Sequence, residues 1–311
     1  MTDVLDAADK IPLLVIAGPT AVGKTALSVA VAERLAGEIV SADSVQVYRG
    51  LDIGSAKVSP AIRQTIPHHL IDIVEPDQPF SVADYQRAAQ KAIAEIAARG
   101  RLPILVGGTG LWIRAVVQNF DLPEDAGETP WRARLMKQGE TQGWDGLRRQ
   151  LRVVDPASYV AIQPNDHRRL VRALEVFFHT GRRLKRTPGE SPYAVRYWVL
   201  SRPPGQLHRL IEQRVRDMLE SGLVDEVRHL LASGIPPHAQ SLSAIGYREV
   251  VQWFYGRLTA EERDRLIIRH TQQYAKRQLT WFRSEKMARW LDLSAWTPEQ
   301  AVDAITASLG R

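Results

Sequence analysis

Ile16 to Thr25 reads IAGPTAVGKT, and the architecture of the chain follows from how that stretch must fold. It meets every fixed position of the pattern G-x-x-x-x-G-K-[ST] with Gly18, Gly23, Lys24 and Thr25. Glycines let successive backbone N–H groups turn inward around a phosphate, and the helix that follows offers its positive end. Lys24 adds a mobile charge, and the Thr25 hydroxyl is placed to ligate Mg²⁺. The context agrees: LLVIA, from Leu13 to Ala17, predicts a buried strand before the loop, and the apolar spacing from Lys24 to about Leu35 predicts a helix after it.

Working outward, EIVSA predicts a second strand, HLIDIV a third, and PILVGG (Pro103 to Gly108) a fourth. Between the last two, SVADYQRAAQKAIAEIAARG has helical spacing, with Ser81 as its N-cap and Gly100 as its stop, and Thr109 is placed to cap a helix running towards Val117. Strands alternating with helices give a P-loop NTPase-like α/β fold, a parallel sheet flanked by helices. Ligands bind at the carboxyl ends of such strands, so Gly18 to Thr25, Asp43 and Gly107 to Gly110 are expected to converge. From about Asp121 the character changes. DLPEDAGETP reads as a linker, the stretch to about Pro188 has helical periodicity without a strand, and YAVRYWVLSR (Tyr193 to Arg202) reads as a strand returning to the sheet. The expected organisation is a core of residues 1–122 plus 190–311, ending in helices, with an inserted all-helical domain at 123–189.

The chain has 311 residues, 44% of them hydrophobic, and no cysteine, so disulfides, thiolate metal sites and cysteine nucleophiles are excluded. No apolar run reaches the about 18 residues needed to cross a bilayer. The N-terminal MTDVLDAADKIPLL lacks a signal-peptide layout. The expectation is a cytoplasmic protein with no membrane partner, and a monomer by default. The formal charge is +6, and the stretch from Asp166 to Arg186 is dense in Arg and Lys with only two acids, whereas the first hundred residues carry no such excess. A basic surface concentrates polyanions, although a solvated helix face gives the same composition.

The loop does not say which phosphorylated molecule it holds. Nucleoside triphosphate hydrolases usually add an acid at the end of a second strand. Here Asp72 falls inside HLIDIV, and PILVGG offers none. Asp43, beside Ser44 and Gln46, directly follows a strand. Its carboxylate could take a proton from a nucleophile, or it could close an Asx turn, and the Gln46 amide could read a nucleobase edge. His68 and His69 read as structural. A small-molecule kinase and a non-catalytic RNA-binding protein both remain open at this level. The kinase leaves the basic helices unexplained, and the binding module leaves Asp43 and Thr109 without a task.

Seven segments narrow the choice: GPTAVGKT, SADSVQVYRGLDIGSAK, PHHLIDI, PILVGGTGLW, NDHRRLVRALEVF, GYRE and YAKRQLTWFR. In that order they resemble the bacterial tRNA dimethylallyltransferases, over nearly the whole chain. The resemblance implies transfer of a dimethylallyl group from dimethylallyl diphosphate to N6 of the adenosine just 3′ of the anticodon (position 37). It implies that Gly18, Thr20, Ala21, Val22, Gly23, Lys24 and Thr25 hold the diphosphate, with Mg²⁺ at Thr25. It implies Asp43 as the base, Thr109 near the reacting centre and Arg214 on the diphosphate. For the tRNA anticodon loop it implies Asp43, Ser44, Val45, Gln46, Thr109, Arg132, Arg168, Arg169, Arg172, Gly246, Tyr247, Arg248, Lys276, Arg277, Gln278 and Arg283. Trp112 stands where a Tyr is frequent, with packing as its expected role, and Gln272 stands where a basic residue is frequent.

Overall fold

The computed structural model describes residues 10–122, 130–181, 183 and 188–309. The start of the N-terminal stretch, most of the DLPEDAGETP linker, and residues 182 and 184–186 of the basic segment lie outside the described residues. Two compact units emerge. One combines the chain up to Asn119 with the chain from Glu190 onward, and the other is Phe120–Gly189.

The first unit is built on a six-stranded parallel sheet. The strands are β1 (Ile11–Ala17), β2 (Gly37–Ala42), β3 (His68–His69), β4 (Leu102–Gly107), β5 (Tyr193–Ser201) and β6 (Arg289–Asp292), in the order β3-β2-β4-β1-β5-β6. Central β1 pairs with β4 (Leu14 opposite Ile104) and with β5 (Ile11 opposite Tyr193). Residues 13–17 are fully buried, as a strand covered on both faces requires. Helix α1 (Lys24–Leu35) ends on Ala36 with φ 48°, a left-handed cap that normally falls to glycine. The glycine is needed one residue later: a Cβ at Gly37 would lie 2.8 Å from Ile104 Cδ1. The other early helices are α2 (Pro60–Thr65), α3 (Val82–Ala98) and α4 (Gly110–Val117). In α3, Ser81 and Asp84 cap each other reciprocally, and Tyr85, Ala89, Ile93 and Ile96 face the sheet from one side of the helix.

HLIDIV does not continue as a strand. After His69 the chain turns through Leu70 (φ 64°) and Asp72 (φ 58°), and its next backbone bonds go to the loop beyond β2, with Ile73 N donating to Val47 O at 2.8 Å. The cause is polar. The Asp72 carboxylate receives Lys57 Nζ at 2.6 Å and Arg63 at 2.7 Å, and the Lys57 side chain is only 2% exposed. Binding those two cations fixes Asp72 more tightly than apolar patterning fixes a strand. His69 bonds Glu38 at 2.7 Å, as does Arg99, and His68 Nδ1 bonds Ile66 O.

The second unit packs α5 (Pro130–Gln142), α6 (Trp144–Val154), α7 (Pro156–Ala161) and α8 (His167–Thr180) around Leu135, Leu147, Leu151, Leu170 and Leu174. Trp144 stacks on His167 at 3.9 Å, and Asp155 and Asp166 cap the helices that follow them. The later helices of the first unit are α9 (Pro204–Glu220), α10 (Leu223–Ala232), α11 (Tyr247–Phe254), α12 (Ala260–Phe282) and α13 (Pro298–Ala307). No helix among the described residues is long and apolar enough to cross a membrane.

Burial alone would raise the Asp72 carboxyl, but Lys57 and Arg63 hold it below its ordinary value. A depressed carboxyl contributes stability above its unfolded pKa and loses it as pH falls through the folded value. Asp72→Asn should therefore cost about 1–3 kcal/mol in urea unfolding at neutral pH. The gap from the parent chain should close only below about pH 4.

Candidate active site at the carboxyl edge of the sheet

The loop after β1 is shaped by contact with its neighbours. A Cβ on Gly18 would lie 2.8 Å from Leu200 O on β5, and Ala21 and Gly23 take φ of 62° and 113° to carry the chain into α1. The first turn of α1 has no acidic residue and no side-chain cap, which leaves its amides for an anion. Lys24 curls back over the loop, donating to Gly18 O at 3.1 Å and Pro19 O at 2.8 Å. Burial, reinforced by Arg214, pushes its ammonium down from 10.5 to about 7, while Asp43 pulls the other way. Arg214, on α9, is likewise lowered by burial and opposed by Asp43. It has no hydrogen bond or ion pair among the described residues.

Asp43 follows β2 and divides its two oxygens. Oδ1 accepts from Val45 N at 2.9 Å and Gln46 N at 3.3 Å, which is the Asx turn. Oδ2 has no hydrogen-bond partner among the described residues. The turn and the candidate base are thus compatible, because the turn uses one oxygen and orients the other. Thr109 stands at the start of α4 but does not cap it. Instead its Oγ1 accepts from Ser44 N at 3.2 Å and its N–H donates to Ala42 O, locking the end of β4 to the Asp43 loop. Gly18 to Thr25, Asp43 and Thr109 come together as expected. Beside them opens a cavity of about 360 Å³ whose lining includes Thr20, Asp43, Ser44, Val45, Arg214, Arg248, Tyr274 and Arg277.

Several residues expected at RNA have partners within the protein. Gln278 is buried, its Oε1 accepting from Thr20 N at 3.0 Å and its Nε2 donating to Gly108 O at 2.9 Å. Tyr247 is fully buried and donates to Glu226 at 2.6 Å. Glu226 in turn takes the N–H groups of Asp52, Ile53 and Gly54. Gln46 accepts from Ser41 Oγ and donates to Ser55 O and Ala56 O, which commits its amide protons within the protein. Gly246 (φ 95°) donates its N–H to the buried Glu249, which also receives Arg248 and His270. Arg132 and Arg172 both bind Glu175, a carboxylate with no exposed surface. An inward-facing acid on an amphipathic helix draws neighbouring arginines to itself, because an unpaired buried charge is costly.

Of the basic residues expected at RNA, Arg168, Lys276, Arg277 and Arg283 are exposed, together with Arg169, which pairs with Asp166 at 3.3 Å. Trp112 is buried and stacks on Tyr85 at 4.1 Å, the packing role expected of it. Sequence reasoning missed Tyr274, whose only signal was its place four residues before Gln278 on α12. It also missed Arg202, which donates to Val22 O at 3.1 Å behind the phosphate loop.

The IPP transferase family model matches residues 46–285. The chain belongs to that family. It is 50% identical over 289 residues to the tRNA dimethylallyltransferase of Symbiobacterium thermophilum, covering 92% of this chain and 90% of the relative. It is 46% identical to that of Desulforudis audaxviator, covering 91% and 92%. Among solved structures, the tRNA isopentenylpyrophosphate transferase of Bacillus halodurans aligns with TM-score 0.73 at 42% identity, over 97% of this chain and 96% of that one. A eukaryotic dimethylallyltransferase solved acting on tRNA aligns with TM-score 0.79 at 28% identity, over 96% and 79%. Among IPP transferases, then, this chain carries the phosphate loop, the Asp43 turn and the cavity in one continuous site.

The lowered Lys24 gives a titration test. In the free protein much of its ammonium is deprotonated above pH 7, and a bound polyanion favours the charged form. Inorganic diphosphate should bind with uptake of a proton between pH 7 and 9. Calorimetry in buffers of different ionisation enthalpy measures this, and Lys24→Arg should abolish it.

Proposed function

We propose that the chain transfers a dimethylallyl group from dimethylallyl diphosphate to N6 of the adenosine on the 3′ side of the anticodon in tRNA. The observation that carries this reading is the free Oδ2 of Asp43, held beside a phosphate loop and an unpaired Arg214 on one cavity. Relatives named for this activity, similar over more than nine-tenths of the chain, support it.

The adenine amine is a weak nucleophile because its lone pair is delocalised into the ring. Asp43 Oδ2 accepts a hydrogen bond from N6 and removes its proton as the N–C bond forms. The allylic C–O bond breaks at the same carbon, and its electron pair leaves on the diphosphate. Amides of residues 21–25, Lys24 and Arg214 hold that charge, and the Thr109 hydroxyl donates to the bridging oxygen. The described residues contain no cluster of three acidic or His side chains that could cage a metal. The donor set suits Mg²⁺, which the Thr25 hydroxyl would help to hold. When bound, Mg²⁺ supplies further neutralisation of the leaving group.

A stacked base cannot reach this cavity, so the adenosine must be flipped out of the anticodon loop. Arg248 and Arg277 at the cavity, with Lys276 and Arg283, would follow the RNA backbone. The helical unit over 123–189, through Arg168 and Arg169, would extend that contact. The protein would act as a cytoplasmic monomer. The kinase alternative loses its second acid, because Asp72 is bound to Lys57 and Arg63.

Incubation of undermodified tRNA with dimethylallyl diphosphate should yield the prenylated adenosine, and ATP as sole donor should yield none. Asp43→Asn keeps an oxygen for the turn but removes the base. It should lower kcat by about 10²–10⁴ with tRNA affinity unchanged; an equal loss of affinity would refute the base assignment. Arg168→Ala should reduce the salt slope of tRNA binding by about 1. Arg172→Ala should instead destabilise the helical unit by about 1–3 kcal/mol, read in its unfolding transition, because Glu175 loses a partner.

A further inference from the structure

A second cavity, of about 300 Å³, lies at the carboxyl ends of β5 and β6 and shares no lining residue with the one that holds Asp43. Its walls include Arg202, Leu279, Arg283, Trp290 and Asp292. Arg202 follows β5, and its Nε is committed to Val22 O of the phosphate loop at 3.1 Å. The terminal nitrogens of that guanidinium have no hydrogen bond or ion pair among the described residues, and neither has the exposed guanidinium of Arg283. Trp290, on β6, is 40% exposed, although so large an apolar ring is usually well covered. Asp292 ends β6 and divides its two oxygens. Oδ1 accepts from Ser294 N at 2.9 Å and Ser294 Oγ at 2.8 Å, whereas Oδ2 has no hydrogen-bond partner among the described residues.

Those groups match the parts of a nucleotide. An indole offers a face on which a base can stack. Two guanidiniums without a counter-charge attract a phosphodiester. A carboxylate oxygen accepts from an exocyclic amino group, which adenine, cytosine and guanine carry and uracil lacks. We propose that this cavity takes a second nucleotide of the bound tRNA, near the target adenosine in the anticodon loop, with its base stacked on Trp290 and its phosphate at Arg202 and Arg283. The helix that walls both cavities favours a nucleotide borne on RNA. Arg277 of α12 lines the first cavity, and Arg283, the C-cap residue of the same helix, lines the second. Six residues separate them, a rise of about 9 Å. A strand that presents a flipped adenosine to the first cavity therefore passes the second within a few nucleotides. A free nucleotide carries the same base and phosphate, so the experiment must separate the two sources.

The inference rests on the reading of the chain as a tRNA prenyltransferase, and prenyl transfer by the parent chain tests that reading separately. Anticodon stem-loop RNAs, each lacking one base of the loop, are titrated against the parent chain, Trp290→Ala and Trp290→Phe, with the Tm of each protein recorded. Trp290→Ala should weaken binding of the intact stem-loop about tenfold, the worth of one stacked base. Trp290→Phe keeps an aromatic face and should retain most of the affinity. One abasic RNA, other than the one lacking the target adenine, should bind the parent chain about tenfold more weakly and lose nothing further in Trp290→Ala, because the stack is already gone. At that loop position uracil should bind the parent chain more weakly than adenine or cytosine. Losses from Trp290→Ala and from every missing base that simply multiply would overturn the proposal while leaving the transfer reading intact. So would AMP or CMP binding to the complex of parent chain and stem-loop but not to that of Trp290→Ala, since the cavity would then take free nucleotides while RNA is bound. Uracil bound as well as adenine at the coupled position would remove Asp292 from the site. A parent chain that transfers no prenyl group to tRNA would remove the underlying reading, and the proposal with it.

Discussion

The side-chain amide of Gln278 spans two loops that leave neighbouring strands of the sheet. Its oxygen takes the N–H of Thr20 in the phosphate loop, and its nitrogen gives a proton to Gly108 in the turn after β4. An unmade bond at a buried backbone group costs more than a made one contributes. The long helix α12 is therefore docked by a polar contact at one residue. Its apolar neighbours Ile267, Ala275 and Phe282 supply most of the burial without fixing the register. With that register set, Tyr274 and Arg277 line the cavity. The chemistry of the site thus depends on a residue that touches none of the reacting groups.

Much of the core was legible in the sequence because the phosphate-loop pattern dictates both local geometry and chain order. A strand must enter it and a helix must leave it, and β1 and α1 lie where the apolar spacing put them. Asp43 was legible for a related reason: it directly follows a strand in a sheet whose active edge was already fixed. HLIDIV was misread because apolar patterning cannot register two positive φ angles or the pull of Lys57 and Arg63 on Asp72. Strand β6 has only four residues, two of them exposed, and so carries too little pattern to find.

The residues expected to face RNA were harder to place, because several of them are engaged within the protein. Residue type says that Gln278, Tyr247, Arg132 and Arg172 can make polar contacts, but not with whom. In this fold the buried acids Glu175 and Glu249 and the half-buried Glu226 collect donors such as Arg132, Arg172 and Tyr247. Each acid sits far in sequence from at least one of its partners, so local spacing holds no trace of the pairing. Basicity at the surface is accordingly lower than composition suggests, and it is concentrated in fewer side chains.

Glu226 throws light on the phosphate loop. Three consecutive amides, from Asp52 to Gly54, converge on its carboxylate, the same concave backbone nest that the chain forms after β1. In one nest the protein supplies its own anion from a distant helix, and the loop becomes part of the scaffold. In the other, the first turn of α1 has no acid to offer, and Lys24 bends onto the loop carbonyls. The two nests are alike in backbone chemistry and differ in whether the chain carries its own counter-charge for them. Occupancy by a foreign anion is thus written into this molecule as an omission, in the residue that would otherwise have filled the place.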